Sequence, residues 1–189
     1  MKLTNTFAVE RSVDSVWDAF GDIESVAQCL PGADLTGEKE DGSYEGSVEI
    51  KLGPMRSKFE GEAVVTRDDA AKAGHIDGKG VDRSGGSRGQ VKVDYVVTST
   101  DGGSSVTVDA DISLSGAIAQ FGRSGLVEEI TKRLISEFVE CLEAKMSAET
   151  VEHAAAIEAG DVKGFSLFLS GFIGWIGNLF KRLFNRGGE

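Results

Sequence analysis

Strict alternation of apolar and polar residues recurs through most of the first 114 residues and limits the possible folds more than any other feature of the chain. Alternation with a period of two places every second side chain on one face, as in a half-buried β-strand. Turn-forming clusters such as Glu40-Asp41-Gly42 and Asp101-Gly102-Gly103 separate these segments. The pattern predicts six strands, joined mostly by short turns, in one antiparallel sheet. They span residues 2–9, 44–52, 55–66, 74–80, 87–100 and 104–114.

Two short helices are predicted between the first and second of these strands. Ser12 or Asp14 can cap the first helix, which ends near Gly21. The second covers residues 23–29 and is stopped by Pro31. The first helix would present an apolar face consisting of Val13, Val16, Trp17 and Phe20.

The period changes after the last strand. From residue 124 to 147, large apolar residues recur at every fourth position, which is typical of a helix with one buried stripe. A sheet that is apolar on one face and a helix with one apolar stripe must cover each other, so we predict an α+β fold. The stripe consists of Leu126, Ile130, Leu134, Phe138, Leu142 and Met146.

The last 25 residues form a separate amphipathic segment. Wound as a helix, they place most large apolar residues on one half of the cylinder and Lys181 and Arg182 on the other. The uncharged run is too short to span a bilayer, so we expect a helix lying at the membrane surface. The alternative is a helix docked on its own domain or on a partner protein. The membrane-facing residues would be Phe165, Phe168, Leu169, Phe172, Ile173, Trp175, Ile176, Leu179, Phe180, Leu183 and Phe184.

The expected organisation is a folded domain (residues 1–146), a linker (147–164) and this membrane-binding tail (165–189). The net charge is −11, and the tail holds more basic than acidic residues, so the domain carries the negative charge. It should repel nucleic acid and anionic headgroups, which leaves the tail as the source of membrane affinity.

Cys29 and Cys141 lie far apart in sequence and fit reduced thiols better than a disulfide framework or a zinc site. The start of the chain lacks the apolar core of a signal peptide, which predicts a cytoplasmic protein.

The order of the predicted elements describes the helix-grip architecture of START-like (SRPBCC) and pollen-allergen-like domains. Several short motifs occur in order along the chain: Val16-Trp17-Asp18, Asp22-Ile23, Cys29-Leu30-Pro31-Gly32, Tyr44-Glu45-Gly46, Lys51-Leu52-Gly53-Pro54, Phe59-Glu60-Gly61 and the segment from Gly116 to Arg123. Through these motifs the chain resembles, within that class, the family of the carbon monoxide dehydrogenase G subunit over about residues 1–146. Family members accompany a molybdenum-containing carbon monoxide dehydrogenase and are implicated in its membrane association, so the resemblance implies that enzyme as a partner.

The inner face of the sheet offers a candidate binding site. Gly46, Ser57, Gly61, Ala63 and Ala110 fall on that face and are small where a filled core needs volume. They leave room for an apolar ligand or, alternatively, mark curvature of the sheet. The resemblance favours the cavity, because helix-grip domains often bind lipophilic molecules. The predicted wall residues are Tyr44, Val48, Phe59, Tyr95, Ile112, Phe121, Leu134 and Phe138.

No catalytic constellation is evident in the sequence. His75 lies beside Asp77 in a strand and His153 beside Glu152 in the linker, and neither has a nucleophile at a recognisable spacing. The glycines around Lys79 match no phosphate-binding motif. We therefore expect no enzymatic activity, no metal site and no covalently bound cofactor.

These features together predict a membrane-associated carrier. Electrons removed from carbon monoxide must reach a respiratory acceptor, and quinones with isoprenoid tails do not dissolve in the cytosol. The expected ligand is a quinone, menaquinone or ubiquinone, taken from the inner face of the cell membrane and presented to the dehydrogenase. Alternatives are a recruitment factor without ligand transport, a maturation factor and a cyclase-type enzyme.

Overall fold

Seven antiparallel strands form one sheet in the order β1-β7-β6-β5-β4-β3-β2. The computed structural model describes residues 1–52, 55–123, 126–148, 154 and 156–158. The strands are β1 (Lys2–Val9), β2 (Ala33–Glu38), β3 (Tyr44–Leu52), β4 (Met55–Asp68), β5 (Ala73–Asp82), β6 (Ser87–Thr100) and β7 (Gly103–Ser115). The helices are α1 (Val13–Ala19), α2 (Ile23–Gln28), a 3-10 helix (Ala117–Arg123) and α3 (Leu126–Ser147).

The predicted α+β helix-grip fold is confirmed, with one strand more than predicted. β2 was missed because it has only six residues and its pairing with β3 shifts register between Leu35 and Gly37. Successive strands pair with each other from β2 to β7, and β1 joins the sheet beside β7. The segment α1-α2 therefore crosses from one edge of the sheet to the other.

Side-chain caps start both short helices. The Ser12 side chain accepts a hydrogen bond from the Ser15 backbone N–H, and Asp22 accepts one from that of Ser25. Each satisfies a backbone donor that the first turn leaves free. α1 buries Val16 and Trp17, whereas α2 buries none of its residues. α2 instead packs the half-buried Val26 against the buried core.

A disulfide joins the end of α2 to α3, between Cys29 and Cys141. The prediction of reduced thiols was wrong. The two cysteines are separated by 112 residues, and only the packing of α3 brings them together. No local sequence pattern therefore predicts that they form a disulfide. Beside the disulfide, Lys145 Nζ donates a hydrogen bond to Gln28 Oε1. Burial lowers the pKa of this lysine.

The apolar residues between sheet and helices form two separate clusters. We call the larger cluster the aromatic end; it lies where β1, β6 and β7 meet α1 and the end of α3. We call the smaller cluster the hairpin end. The hairpin end lies beside the β3–β4 and β5–β6 turns and has two buried members, Phe59 and Ile118, with Ile50, Leu114 and Ile130 packed against them. The buried residues of the aromatic end are Val9, Val16, Trp17, Phe20, Tyr95, Val97, Val106 and Leu142.

A row of four paired glycines crosses the sheet near the hairpin end. Gly46 pairs with Gly61, Gly61 with Gly80, and Gly80 with Gly89. A Cβ at Gly61 would lie 1.9 Å from the carbonyl oxygen of Lys79, and one at Gly46 would lie 2.5 Å from that of Asp34. Side chains are excluded at these two positions because the neighbouring strand approaches so closely. The glycines at these positions therefore permit the close approach of neighbouring strands.

None of the described helices combines the length and the apolar character needed to cross a bilayer. The predicted tail and most of the predicted linker lie outside the described residues.

Candidate ligand site on the inner face of the sheet

One row of the inner face passes through the middle of the sheet in register. Tyr44 pairs with Ala63, Ala63 with Gly78, Gly78 with Val91, and Val91 with Ile112. Alternation along each strand puts these side chains on the same face as Phe59. The strand register thus brings two of the predicted wall residues, Tyr44 and Ile112, onto one surface.

This middle row lies between the two apolar clusters and is only half-buried. Ala63, Val91 and Ile112 each keep part of their surface accessible, and so does Leu134 on α3. None of them belongs to either cluster. The middle of the inner face is therefore less completely buried than its ends.

The other predicted wall residues are distributed over both ends. Phe59 is buried at the hairpin end, and Val48, its partner across β3 and β4, is 42% exposed near the sheet edge. Phe138 packs its ring on Phe7 and Phe20 at the aromatic end. Phe121 lies in the 3-10 helix, and its side chain is outside the described part of the structure.

Tyr95 belongs to the packed aromatic end. Its ring lies 5.4 Å from that of Phe20 and 6.1 Å from that of Trp17, measured between centroids. Gly74, opposite it on β5, has no side chain because the Tyr95 ring occupies that space. Burial raises the pKa of the Tyr95 hydroxyl, an effect that Arg67 partly offsets.

An arginine on the inner face was missed from the sequence. The Arg67 guanidinium stacks 4.0 Å from the centre of the Trp17 ring, and its Nη2 donates a 2.8 Å hydrogen bond to the Trp17 carbonyl. Its Nη1 is buried and has no hydrogen-bond partner. Trp17 Nε1 in turn donates to Asp69 at 2.8 Å. Strict alternation from Phe59 places Arg67 on the inner face, and this signal could have found it.

The hairpin end contains buried polar groups as well as Phe59. Asp82 is 1% exposed, and its Oδ1 accepts hydrogen bonds from the backbone N–H groups of Ser84 and Gly85 and from the Ser84 hydroxyl. These donors, with Gly85 the largest contributor, hold the pKa of the carboxyl below its ordinary value. Ser87 Oγ accepts from the Ile118 N–H at 3.3 Å. The hydrogen bonds to Asp82 stabilise the β5–β6 turn, and the one to Ser87 links that turn to the 3-10 helix.

The outer face of the sheet carries two open grooves with charged residues in their walls. The larger has a volume of about 950 Å³ and includes Glu60, Glu62, Lys58 and Arg88 in its lining. The smaller, of about 380 Å³, is lined by His75 and Asp94, whose side chains are 2.8 Å apart. The predicted neighbour of His75, Asp77, is not its partner. Charged walls do not suit an apolar ligand, which leaves the inner face as the candidate site.

Within the described ranges, no group of three or more His, Cys, Asp or Glu side chains is arranged to hold a metal ion.

Solved structures with similar folds support the architecture. A conserved protein from Geobacillus kaustophilus is 18% identical with a TM-score of 0.67, and the alignment covers 77% of this chain and 95% of that one. An aromatase/cyclase from Streptomyces sp. R1128 is 12% identical with a TM-score of 0.53, covering 77% and 93%. Ara h 8.0201 is 13% identical with a TM-score of 0.53, covering 77% and 97%. At these identities the likeness shows the fold alone.

Sequence comparison is more specific. A search of the curated proteins gives no match. The family model of the carbon monoxide dehydrogenase G subunit (CoxG) matches residues 6–147, which is most of the chain and nearly all of the described domain. The chain therefore belongs to the CoxG family, a family of accessory subunits of carbon monoxide dehydrogenase.

Proposed function

We propose that the protein binds a quinone between the sheet and α3 and delivers it to a molybdenum carbon monoxide dehydrogenase at the membrane. The observation that carries this proposal is the incompletely buried middle of the inner face. Apolar side chains there stay half-buried between two clusters that do not merge. An apolar guest that covered Val91, Ile112 and Leu134 would remove their surface from water, and such burial favours binding.

The membrane supplies the ligand in this proposal. Quinones with isoprenoid tails reside in the bilayer, so a carrier must reach the bilayer surface. The eleven large apolar residues on the membrane-facing half of the tail provide an attachment of on the order of 10 kcal/mol before ordering costs are subtracted, at about 1 kcal/mol each. The protein would then act from the cytoplasmic face of the cell membrane, with the dehydrogenase as its acceptor.

Filling the middle row tests the carrier directly. Ala63→Leu adds bulk at the centre of the row, and Val64→Leu adds it to the opposite face of the same strand, where Val64 is 48% exposed. Gly61 is unsuitable, because any Cβ there would collide with the Lys79 carbonyl. Both full-length variants are compared with the wild-type chain for quinone uptake from liposomes and for co-purifying quinone by mass spectrometry.

We expect Ala63→Leu to lower quinone uptake about tenfold and Val64→Leu to leave it unchanged. If the space beside Ala63 is already filled, Ala63→Leu should lower the unfolding free energy by about 1–3 kcal/mol. If that space is empty, the loss should be smaller. A wild-type chain that takes up no quinone contradicts the carrier. If removal of residues 165–189 then still releases the dehydrogenase from the membrane, the protein is a recruitment factor, and cofactor-deficient enzyme in its absence would indicate a maturation role.

A further inference from the structure

Basic side chains gather on the two hairpins at one end of the sheet. Residues 51–58 and 83–88 hold five Lys or Arg and no acidic residue. By contrast, residues 10–24 and 38–41, at the opposite end of the strands, hold eight acidic residues and two basic ones. The molecule is therefore polarised along its strands despite its overall negative charge. We call the basic group the basic hairpin surface: Lys51, Arg56, Lys58, Arg83 and Arg88.

The strand register places the two hairpins side by side. Glu60 of β4 pairs with Val81 of β5, and Val81 pairs with Arg88 of β6. Lys58, Arg83 and Arg88 line the same outer-face groove, whose wall also holds Lys79 and four acidic residues, Asp34, Glu45, Glu60 and Glu62. The positive charges of the neighbouring hairpins thus lie side by side on a surface that also carries carboxylates.

Much of this charge has no internal partner. Arg83 lies 3.8 Å from Glu60 and Lys51 lies 3.7 Å from Glu49, both at exposed positions. Lys58, Arg56 and Arg88 make no ion pair within the described residues. Lys51 and Arg56 also stand directly opposite each other on β3 and β4, an arrangement of like charges that destabilises a sheet. An external anionic partner would offset that cost.

We infer that the basic hairpin surface docks the domain on an anionic lipid bilayer. Each Lys or Arg close to an anionic membrane surface adds to the attraction, and apolar groups among them add contact with the interface. Val81, 40% exposed, lies beside Arg88 on this surface, with Glu60 on its other side. This mixture of basic and apolar residues favours lipid over an acidic protein.

Docking in this orientation would point the hairpin end of the inner face toward the bilayer. The acidic opposite end would then face away from it, as repulsion by anionic headgroups requires. The domain would therefore add an orienting contact to the tail, contrary to the expectation that only the tail attracts the membrane. The inference rests on the membrane association in the proposed function, but it requires no bound quinone.

The test removes two charges from each end of the full-length chain. Lys58→Gln with Arg88→Gln removes unpaired charge from the basic hairpin surface. Lys39→Gln with Lys72→Gln changes net charge equally at the acidic end, where the two lysines pair with Glu62 and Asp14. Circular dichroism and thermal unfolding verify that each variant is folded. Binding is measured by sedimentation with vesicles of phosphatidylcholine alone and of an equal mixture with phosphatidylglycerol.

We expect the wild-type chain to prefer the phosphatidylglycerol vesicles and the Lys58/Arg88 variant to lose about 25-fold in affinity for them, at about fivefold per charge in low salt. The Lys39/Lys72 variant should bind them nearly as well as wild type. High salt should remove most of the difference between the variants.

Three results would overturn the inference: equal losses in both variants, no preference of the wild-type chain for phosphatidylglycerol, or unchanged vesicle binding accompanied by lost binding to purified carbon monoxide dehydrogenase. The last result would assign the surface to a protein partner. Quinone content is measured separately by mass spectrometry. A chain without quinone that keeps the charge-dependent binding would contradict the carrier and leave the docking surface supported.

Discussion

The aromatic end and the hairpin end of the inner face belong to one sheet but are packed very differently. The aromatic end encloses eight buried residues, among them Trp17, Phe20 and Tyr95, with rings in mutual contact. Among the described residues, the hairpin end encloses two buried apolar side chains, Phe59 and Ile118, beside the row of paired glycines. The domain thus concentrates its buried apolar contacts at one end.

Trp17→Ala should produce the largest effect. Trp17 is 2% exposed, packs beside Tyr95 and stacks on Arg67, whose Nη1 is already without a partner. Its removal opens a cavity and takes away the ring on which Arg67 stacks, so we expect a loss of about 3–5 kcal/mol in unfolding free energy. Urea unfolding measures the loss. A cost under about 1 kcal/mol would mean that the aromatic end does not stabilise the fold.

Phe59→Ala should cost less, about 2–3 kcal/mol, although its ring is also buried. The Phe59 side chain covers Gly80 with its Cβ and Gly89 with its ring, but few other large side chains surround it. Urea unfolding of this variant beside Trp17→Ala compares the two ends under the same conditions. Equal costs would contradict the contrast between a densely and a sparsely packed end.

Asp82→Asn should produce the smallest change, and one that depends on pH. The pKa of Asp82 lies below its ordinary value of 3.8 in the folded chain because Gly85 and Ser84 donate hydrogen bonds to the carboxylate. A lowered pKa contributes stability that is present above the unfolded-state pKa and is lost as the pH falls through the folded-state pKa. The wild-type chain should therefore be more stable than the variant near neutral pH.

This advantage should shrink once the pH falls below about 4. Urea unfolding between about pH 3 and pH 7 measures it, with Asp101→Asn in the exposed β6–β7 turn as the control. A difference that is independent of pH would show that the charge of Asp82 does not stabilise the β5–β6 turn.

Local patterns predicted most of the fold. β1, β3 and β6 have the predicted bounds, because alternation and turn residues act within a few positions of each other. Features that depend on distant contacts were missed. The register irregularity in β2 hides its alternation, and the disulfide partner of Cys29 lies 112 residues away.

The candidate site was predicted less completely than the fold. Alternation placed Tyr44, Phe59 and Ile112 on one face, as the register confirms. It could not separate residues that fill the aromatic end, such as Tyr95 and Phe138, from those of the middle row, because both groups share one pattern. The role of the glycines also needed coordinates: at Gly46 and Gly61 they allow close approach of the neighbouring strand.

The cross-link between Cys29 and Cys141 makes the thiol state of a preparation an experimental variable. Closing a loop of this length stabilises a chain by about 4–5 kcal/mol in the simple entropy model, comparable with losing Trp17. Cys29 and Cys141 are both fully buried, so a reductant reaches the disulfide only when α2 separates locally from α3. A sample stored with dithiothreitol should therefore melt at a lower temperature than one stored in air. In the reduced protein, the hydrogen bond between Lys145 and Gln28 still links α2 to α3.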